Sequence, residues 1–173
     1  MKHKLLELFK IHCIDSISFD SNKVLPGGAF FAIKGTMNNG NDFIDHAFSK
    51  GASIAFTEDK TKVKKNVIYV DNIRLAVALA AGILFPKLPK KMIAVTGTIG
   101  KTSVVSYCYQ LLDMLGVKVA TLGTNGLIFN QNSDLNKKFS INLTTADPIT
   151  IRKIIDYVTN LGTEIVVFEA SSH

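Results

Sequence analysis

The chain has 173 residues, 47% of them hydrophobic and 20% charged, with a formal net charge of +6. That balance is globular and not disordered, and the length suffices to bury a core in one large domain or two small ones. No apolar stretch approaches the roughly 18 residues needed to cross a bilayer, so no membrane association is expected. The lysine clusters at 60–65 and 87–91 lack the interleaved aromatics of a nucleic-acid stripe, and a solvated basic face is the simpler expectation.

The start, Met1 to Lys10, alternates charge with apolar residues and has no small-residue cleavage site. It reads as an amphipathic helix with Leu5, Leu8, Phe9 and Ile11 on its apolar face, and not as a signal peptide. Ala29-Phe-Phe-Ala-Ile33 is a short apolar strand between Pro26-Gly-Gly28 and Gly35. A helix follows over Phe43 to Lys50, with Asn41 or Asp42 as its cap and Gly51 ending it. Ala52–Phe56 and Val67–Val70 read as further strands, and Asn72–Phe85 as a closing helix. Strands alternating with helices imply an α/β fold with a parallel sheet. Pro86-Lys-Leu-Pro-Lys-Lys91 breaks the last helix, which places one domain at 1–86, a linker at 87–91 and a second domain at 92–173.

The second segment opens on the most informative stretch of the chain. The apolar strand Met92-Ile-Ala-Val95 runs into Thr96-Gly-Thr-Ile-Gly-Lys-Thr-Ser103, and a periodic helix follows from Val104 to Leu115, ending at Gly116. Strand, glycine turn and helix in that order form an anion cradle. Backbone N–H groups and the helix N-terminus face phosphate, Lys101 reaches the outer phosphates, and the Thr102 hydroxyl is a ligand for Mg²⁺. The spacing Gly97-x-x-Gly100-Lys-Thr is shorter than the general phosphate-loop pattern, whose first glycine would fall on Val95. The expected occupant is a nucleoside triphosphate.

Lys118–Leu122 reads as the next strand, 123–142 as a loop or hairpin, Pro148 to about Leu161 as a helix stopped by Gly162, and Ile165–Phe168 as a buried strand. Glu169 ends that strand, where a carboxylate is costly unless paired or bound to a metal. Ligands of open α/β sheets sit beyond the carboxyl ends of the strands, so Thr102 and Glu169 are expected to share one Mg²⁺; the plainer alternative hydrogen-bonds Glu169 to Ser171 or Ser172. Thr144-Thr-Ala-Asp-Pro148 has the form of a helix start, with Thr144 or Thr145 as cap, or of a ligand contact through those hydroxyls. Asp20 to Gly28 has the local form of a turn. Cys13 and Cys108 lack metal-ligand spacing and are expected to be core thiols. His3, His12 and His46 lack ligand spacing and are expected at the surface.

These motifs resemble those of the Mur ligases. Thr96–Ser103 resembles the ATP loop of that family and of its folylpolyglutamate synthetase relatives. Asp20-Ser-Asn-Lys-Val-Leu-Pro-Gly-Gly-Ala-Phe-Phe-Ala-Ile-Lys-Gly35, with Asp42-Phe43 and Gly51-Ala52, resembles the uridine-binding domain of the ligases adding the third residue or the terminal dipeptide of the peptidoglycan stem. Thr144–Pro148 together with Glu169-Ala-Ser-Ser-His173 resembles the third-residue type, which acts on UDP-MurNAc-L-Ala-D-Glu.

The resemblance implies a small N-terminal α/β domain binding the uridine nucleotide, followed by a truncated P-loop-type parallel-sheet domain binding ATP. It implies a cytoplasmic, monomeric, ATP- and Mg²⁺-dependent amide ligase. That enzyme joins diaminopimelate, or lysine in some members, to the D-glutamate carboxylate through an acyl phosphate. Lys101 and Thr102 would be catalytic; Gly97, Thr98, Ile99, Gly100, Lys101, Thr102 and Ser103 would hold ATP; Thr102 and Glu169 would hold the metal. Phe19, Ser21, Thr36, Met37 and Asn38 fall at uridine-contacting positions, and Thr144, Thr145 and Ser171 where the muramoyl-dipeptide is held. Ile99 replaces an Asn of the family's loop and Asn22 an Arg of its uridine motif. The family's amino-acid-binding domain has no counterpart in the sequence, so this chain alone is expected not to be a competent ligase. The rival expectations are a nucleotide-binding remnant, an interaction module, or a dipeptide-adding ligase.

Overall fold

The computed structural model describes residues 1–35, 38–129 and 147–170. The chain divides into two compact units, Met1–Leu84 and Phe85–His173.

In the first unit α1 (Lys2–Ile11) leads into a parallel sheet of β1 (Ile17–Ser18), β2 (Ala29–Phe31), β3 (Ile54–Thr57) and β4 (Val67–Tyr69), in that spatial order. Between them lie α2 (Ile44–Ser49) and α3 (Ile73–Leu84). Every residue of β2 and β3 is buried, so both faces of the sheet are covered. Phe30, Ala32, Ala55 and Val67 pack with Ile44 and Ala47 of α2 on one face. Phe31 and Phe56 point the opposite way by strand alternation and stack with ring centroids 4.7 Å apart. α1 and α3 pack together, leaving them to cover that second face. Of the expected apolar face of α1, Leu5 and Phe9 are buried, but Ile11, in the last turn, is 74% exposed.

The sequence-expected helix over 43–50 is split. A 3-10 turn, Gly40–Phe43, is capped by Asn39, and α2 proper begins only at Ile44. Neither Asn41 nor Asp42 is the cap, because the Asn41 side chain accepts the Thr57 hydroxyl instead, at 2.6 Å. Gly51 does end the helix, with φ +101°. The turn expected at Asp20 is a 3-10 helix, Ser21–Lys23, whose cap is the Asp20 carboxylate.

In the second unit β5 (Lys91–Val95), α4 (Lys101–Met114), β6 (Val119–Gly123), β7 (Gly126–Phe129), α5 (Pro148–Asn160) and β8 (Ile165–Glu169) follow in chain order. The sheet order is β5-β8-β6-β7, with β7 antiparallel and the rest parallel. The chain therefore crosses from β5 through α4 to β6 and returns to place β8 between them. α5 covers one face, packing Ile154, Ile155 and Val158 on Ala120, Leu122 and Val166. α4 covers the other, packing Val105 on Val119 and Val167. The cap of α5 is Asp147, which accepts from the N–H groups of Ile149 and Thr150; the first position belongs to Pro148. Thr144 and Thr145, the expected caps, lie outside the described residues, and the carboxylate adjacent to the helix takes the role instead. β8 is interior; among the described residues β5 has a strand on one side only, and its Met92 and Ile93 are 41% and 38% exposed. The cysteines are not core thiols: Cys13, just past the end of α1, is exposed and Cys108 only partly buried.

Candidate functional site

The phosphate-loop residues occupy the carboxyl end of β5 and the first turn of α4. Gly97 (φ +150°) and Gly100 (φ +83°) hold backbone conformations that side chains rarely adopt, so the bend depends on both glycines. Gly100 is the N-cap of α4 and carries no capping side chain. The first N–H groups of the helix thus have no side-chain acceptor there, as an anion-binding terminus requires. Lys101 folds back over the turn, its Nζ donating to the Gly97 carbonyl at 2.6 Å. Thr102 is partly buried, Thr96, Thr98 and Ser103 are exposed, and Ile99 at the tip is 92% exposed.

Strand alternation carries Glu169 to this turn. Ile165, Val167 and Glu169 share the face of β8 that packs against α4, while Val166 and Phe168 face α5. Val95 is the register partner of Glu169, and Ala170 N–H donates to the Val95 carbonyl at 2.9 Å, tying the two strand ends together. Glu169 is 3% exposed. Its donors come from Thr124: the backbone N–H at 2.9 Å and the hydroxyl at 3.1 Å. The same hydroxyl stands 3.5 Å from that of Thr102, the outer limit of a hydrogen bond. Thr102 of the turn, Thr124 of the β6–β7 hairpin and Glu169 of β8 thus come together at one end of the sheet, while the Lys101 amine is turned to the Gly97 carbonyl.

Sequence reasoning missed Thr124 and the residue before it. Thr124-Asn125-Gly126, with Gly126 at φ +76°, is a short hairpin loop with glycine at its left-handed position. Gly123 carries the Glu169 side chain directly against its backbone. A Cβ there would meet Glu169 Oε1 at 2.3 Å and Cγ at 2.6 Å. Leu122-Gly-Thr-Asn-Gly126 contains the signal, a glycine-rich turn at a strand end, but its link to Glu169 is 45 residues distant in sequence. No ion pair to Glu169 exists among the described residues, and no cluster of three or more His, Cys, Asp or Glu. A nearly buried carboxylate with two neutral donors and a serviceable hydroxyl beside it suits a hard cation that completes its shell with phosphate oxygens and water.

The first unit carries a separate cleft of about 470 Å³. Phe19, Asp20, Ser21, Asn22, Asn38 and Phe43 line it. Phe19 and Phe43 are 38% and 40% exposed, offering phenyl surface at its rim. Ser21 is 5% exposed, and its hydroxyl stands 3.0 Å from His46 Nδ1 on α2. His46 is at the surface, as its lack of ligand spacing suggests, yet it is joined to a cleft residue. Of the expected uridine-contacting positions the cleft brings together Phe19, Ser21 and Asn38. Thr36 and Met37 lie outside the described residues, as do Thr144, Thr145 and Ser171.

Two family models divide the chain between them: the Mur ligase family catalytic domain over residues 13–96 and the Mur ligase middle domain over residues 95–173. The chain belongs to the Mur ligase family. It is 45% identical over its full length to the UDP-N-acetylmuramoyl-L-alanyl-D-glutamate–2,6-diaminopimelate ligase of Rickettsia conorii, covering 36% of that protein. The ligase of the same name from Bradyrhizobium diazoefficiens is 39% identical over 92% of the chain, which covers 32% of it. A solved structure of such a diaminopimelate ligase superposes with a TM-score of 0.78 at 25% identity, over 92% of this chain and 32% of that one. A MurF ligase from Thermotoga maritima in complex with ADP gives 0.62 at 25% identity, over 93% and 33%. This Mur ligase chain therefore spans about a third of the length of the relatives it matches.

Proposed function

We propose that the chain supplies the uridine-nucleotide unit and the phosphate-binding part of the ATP unit of a peptidoglycan ligase adding diaminopimelate to UDP-MurNAc-L-Ala-D-Glu. What supports this reading is the chain of contacts from Thr102 through Thr124 to Glu169, beside the glycine turn that bears Lys101, in a chain that resembles such ligases along its whole length. In this reading Gly97 to Ser103 wrap the triphosphate, and Lys101 leaves the Gly97 carbonyl to neutralise its outer charge. Thr102 and Glu169 would hold Mg²⁺, which would supply positive charge against the phosphates. The Thr124 donors keep Glu169 aimed at that position through both of its oxygens. The cleft at Phe19, Ser21 and Asn38 takes the uridine end of the second substrate, far smaller than the whole but sufficient to anchor it. Thr144, Thr145 and Ser171 are assigned to the muramoyl-dipeptide by resemblance alone.

ATP and a UDP-sugar peptide as substrates place the reaction in the cytoplasm. Joining the amino acid is assigned to the whole ligase, and nucleotide binding to the third of a relative's length that the chain spans. Titration calorimetry with Mg-ATP and, separately, with UDP-MurNAc-L-Ala-D-Glu tests this. Saturable binding of both supports the reading. Binding of neither identifies the chain as a remnant without nucleotide function, the alternative that Ile99 favours by removing a polar group and Asn22 by removing a charge beside phosphate.

A further inference from the structure

Both oxygens of the Glu169 carboxylate are held by a single residue. The Thr124 N–H donates to Oε1 at 2.9 Å and the Thr124 hydroxyl donates to Oε2 at 3.1 Å. A carboxylate accepts through about four lone-pair sites, two of which face outward together across the edge that its oxygens share. The other two point away from each other, too far apart for one residue to span. Two donors of one threonine stand side by side, so they reach both oxygens only across the shared edge. Thr124 therefore occupies the edge through which a carboxylate chelates.

The carboxyl group has little freedom to turn that edge elsewhere. Gly123 lies so close that a Cβ there would meet Oε1 at 2.3 Å and both Cδ and Cγ at 2.6 Å. The base of the side chain is fixed by the pairing of β8 with β5, where Val95 is the register partner of Glu169. Each oxygen keeps only its outward lone pair. Thr102, partly buried in the first turn of α4, borders this clamp through its 3.5 Å approach to the Thr124 hydroxyl.

We propose that Thr124 restricts Glu169 to meeting a cation through one oxygen and thereby selects Mg²⁺ over Ca²⁺ at this site. Ca²⁺ gathers roughly six to eight oxygens and readily takes both oxygens of one carboxylate. Mg²⁺ is smaller, prefers octahedral geometry, and is satisfied by single carboxylate oxygens together with phosphate oxygens and water. A clamp across the chelating edge withholds a ligand from Ca²⁺ and none from Mg²⁺. Thr124 touches no cation in this scheme; it is a positioning residue acting through Glu169. The inference rests on the reading that Thr102 and Glu169 share the cation that accompanies ATP.

The test is calorimetric titration of ATP into the full chain with saturating Mg²⁺, with saturating Ca²⁺ and with neither, for wild type, T124A and T124S. The wild-type chain is expected to bind ATP more tightly with Mg²⁺ than with Ca²⁺. T124A removes the hydroxyl and its bulk, opening the edge at Oε2. It is expected to lower the ratio of Mg²⁺-supported to Ca²⁺-supported affinity about tenfold, the lower end of the cost of losing a residue that orients a metal ligand. Comparing that ratio between variants cancels the different affinities of the two cations for free ATP. T124S keeps the hydroxyl and is expected to keep the ratio. A purely structural loss lowers both affinities together and leaves the ratio unmoved. A wild-type ratio retained in T124A, or lost as fully in T124S as in T124A, overturns the inference and leaves the shared-cation reading standing. A wild-type chain without preference for Mg²⁺ does the same. ATP binding by the wild-type chain that neither cation strengthens removes that reading and the inference together.

Discussion

Substituting Gly123 by alanine gives opposite outcomes depending on whether Glu169 is held as described. The backbone of Gly123 lies in a strand and is not left-handed, so alanine fits its conformation. In the absence of any clash, replacing a strand glycine with alanine stabilises by roughly 0.5–1 kcal/mol. Here the new Cβ would sit 2.3 Å from Glu169 Oε1 and 2.6 Å from its Cδ, which forces the side chain to swing away. Swinging breaks both Thr124 hydrogen bonds, each to a charged acceptor and worth about 1.5–3 kcal/mol. Rehydration of the displaced carboxylate recovers part of this, so the net loss is about that of one such bond, about 1.5–3 kcal/mol. G123A is therefore expected to destabilise β6, β7 and β8, read as faster hydrogen exchange of their amides at fixed urea concentration. Mn²⁺ affinity in the presence of ATP should fall about 10- to 100-fold, the usual cost of losing a residue that orients a metal ligand. A G123A chain as stable as wild type, or more so, with unchanged metal affinity would refute the reasoning.

Two further outcomes concern stability. D147A removes the acceptor for Ile149 and Thr150 N–H and is expected to cost about 0.5–2 kcal/mol, measured by urea unfolding of the second unit. The hydrogen bond from Lys90 holds the Glu164 carboxyl below its usual range. A depressed folded value contributes stability above the unfolded value, about 4.3 for Glu, that is lost as pH falls through the folded value. K90M should therefore lose less urea midpoint than wild type between pH 6 and pH 3, by a small amount because the Lys90 side chain is 76% exposed.

The parts legible in sequence are those fixed by short-range chemistry. Gly97-x-x-Gly100-Lys-Thr announces its turn because backbone angles and phosphate geometry act within a few residues. The apolar runs of β2, β3 and β8 announce a doubly covered sheet for the same local reason. Contacts between distant residues were not legible. Nothing near Glu169 names Thr124, and nothing near Ser21 names His46, because sheet order and helix packing bring those pairs together. Helix caps failed for a related reason: Asn41 is a good local cap but is drawn to Thr57 across the sheet end. Ile11 fits the helical period yet lies past the edge of the surface that α1 covers, and Cys13 follows it into solvent.

The central claim is that Lys101, Thr102 and Glu169 form one metal-dependent triphosphate site. Its most direct test is titration of ATP into the chain with and without Mg²⁺, repeated for K101A and E169Q. Saturable binding is expected that strengthens with Mg²⁺, falls at least tenfold in K101A under both conditions, and loses its Mg²⁺ enhancement in E169Q. Binding that ignores the metal in the wild-type chain, or an E169Q chain that keeps the full enhancement, would contradict it.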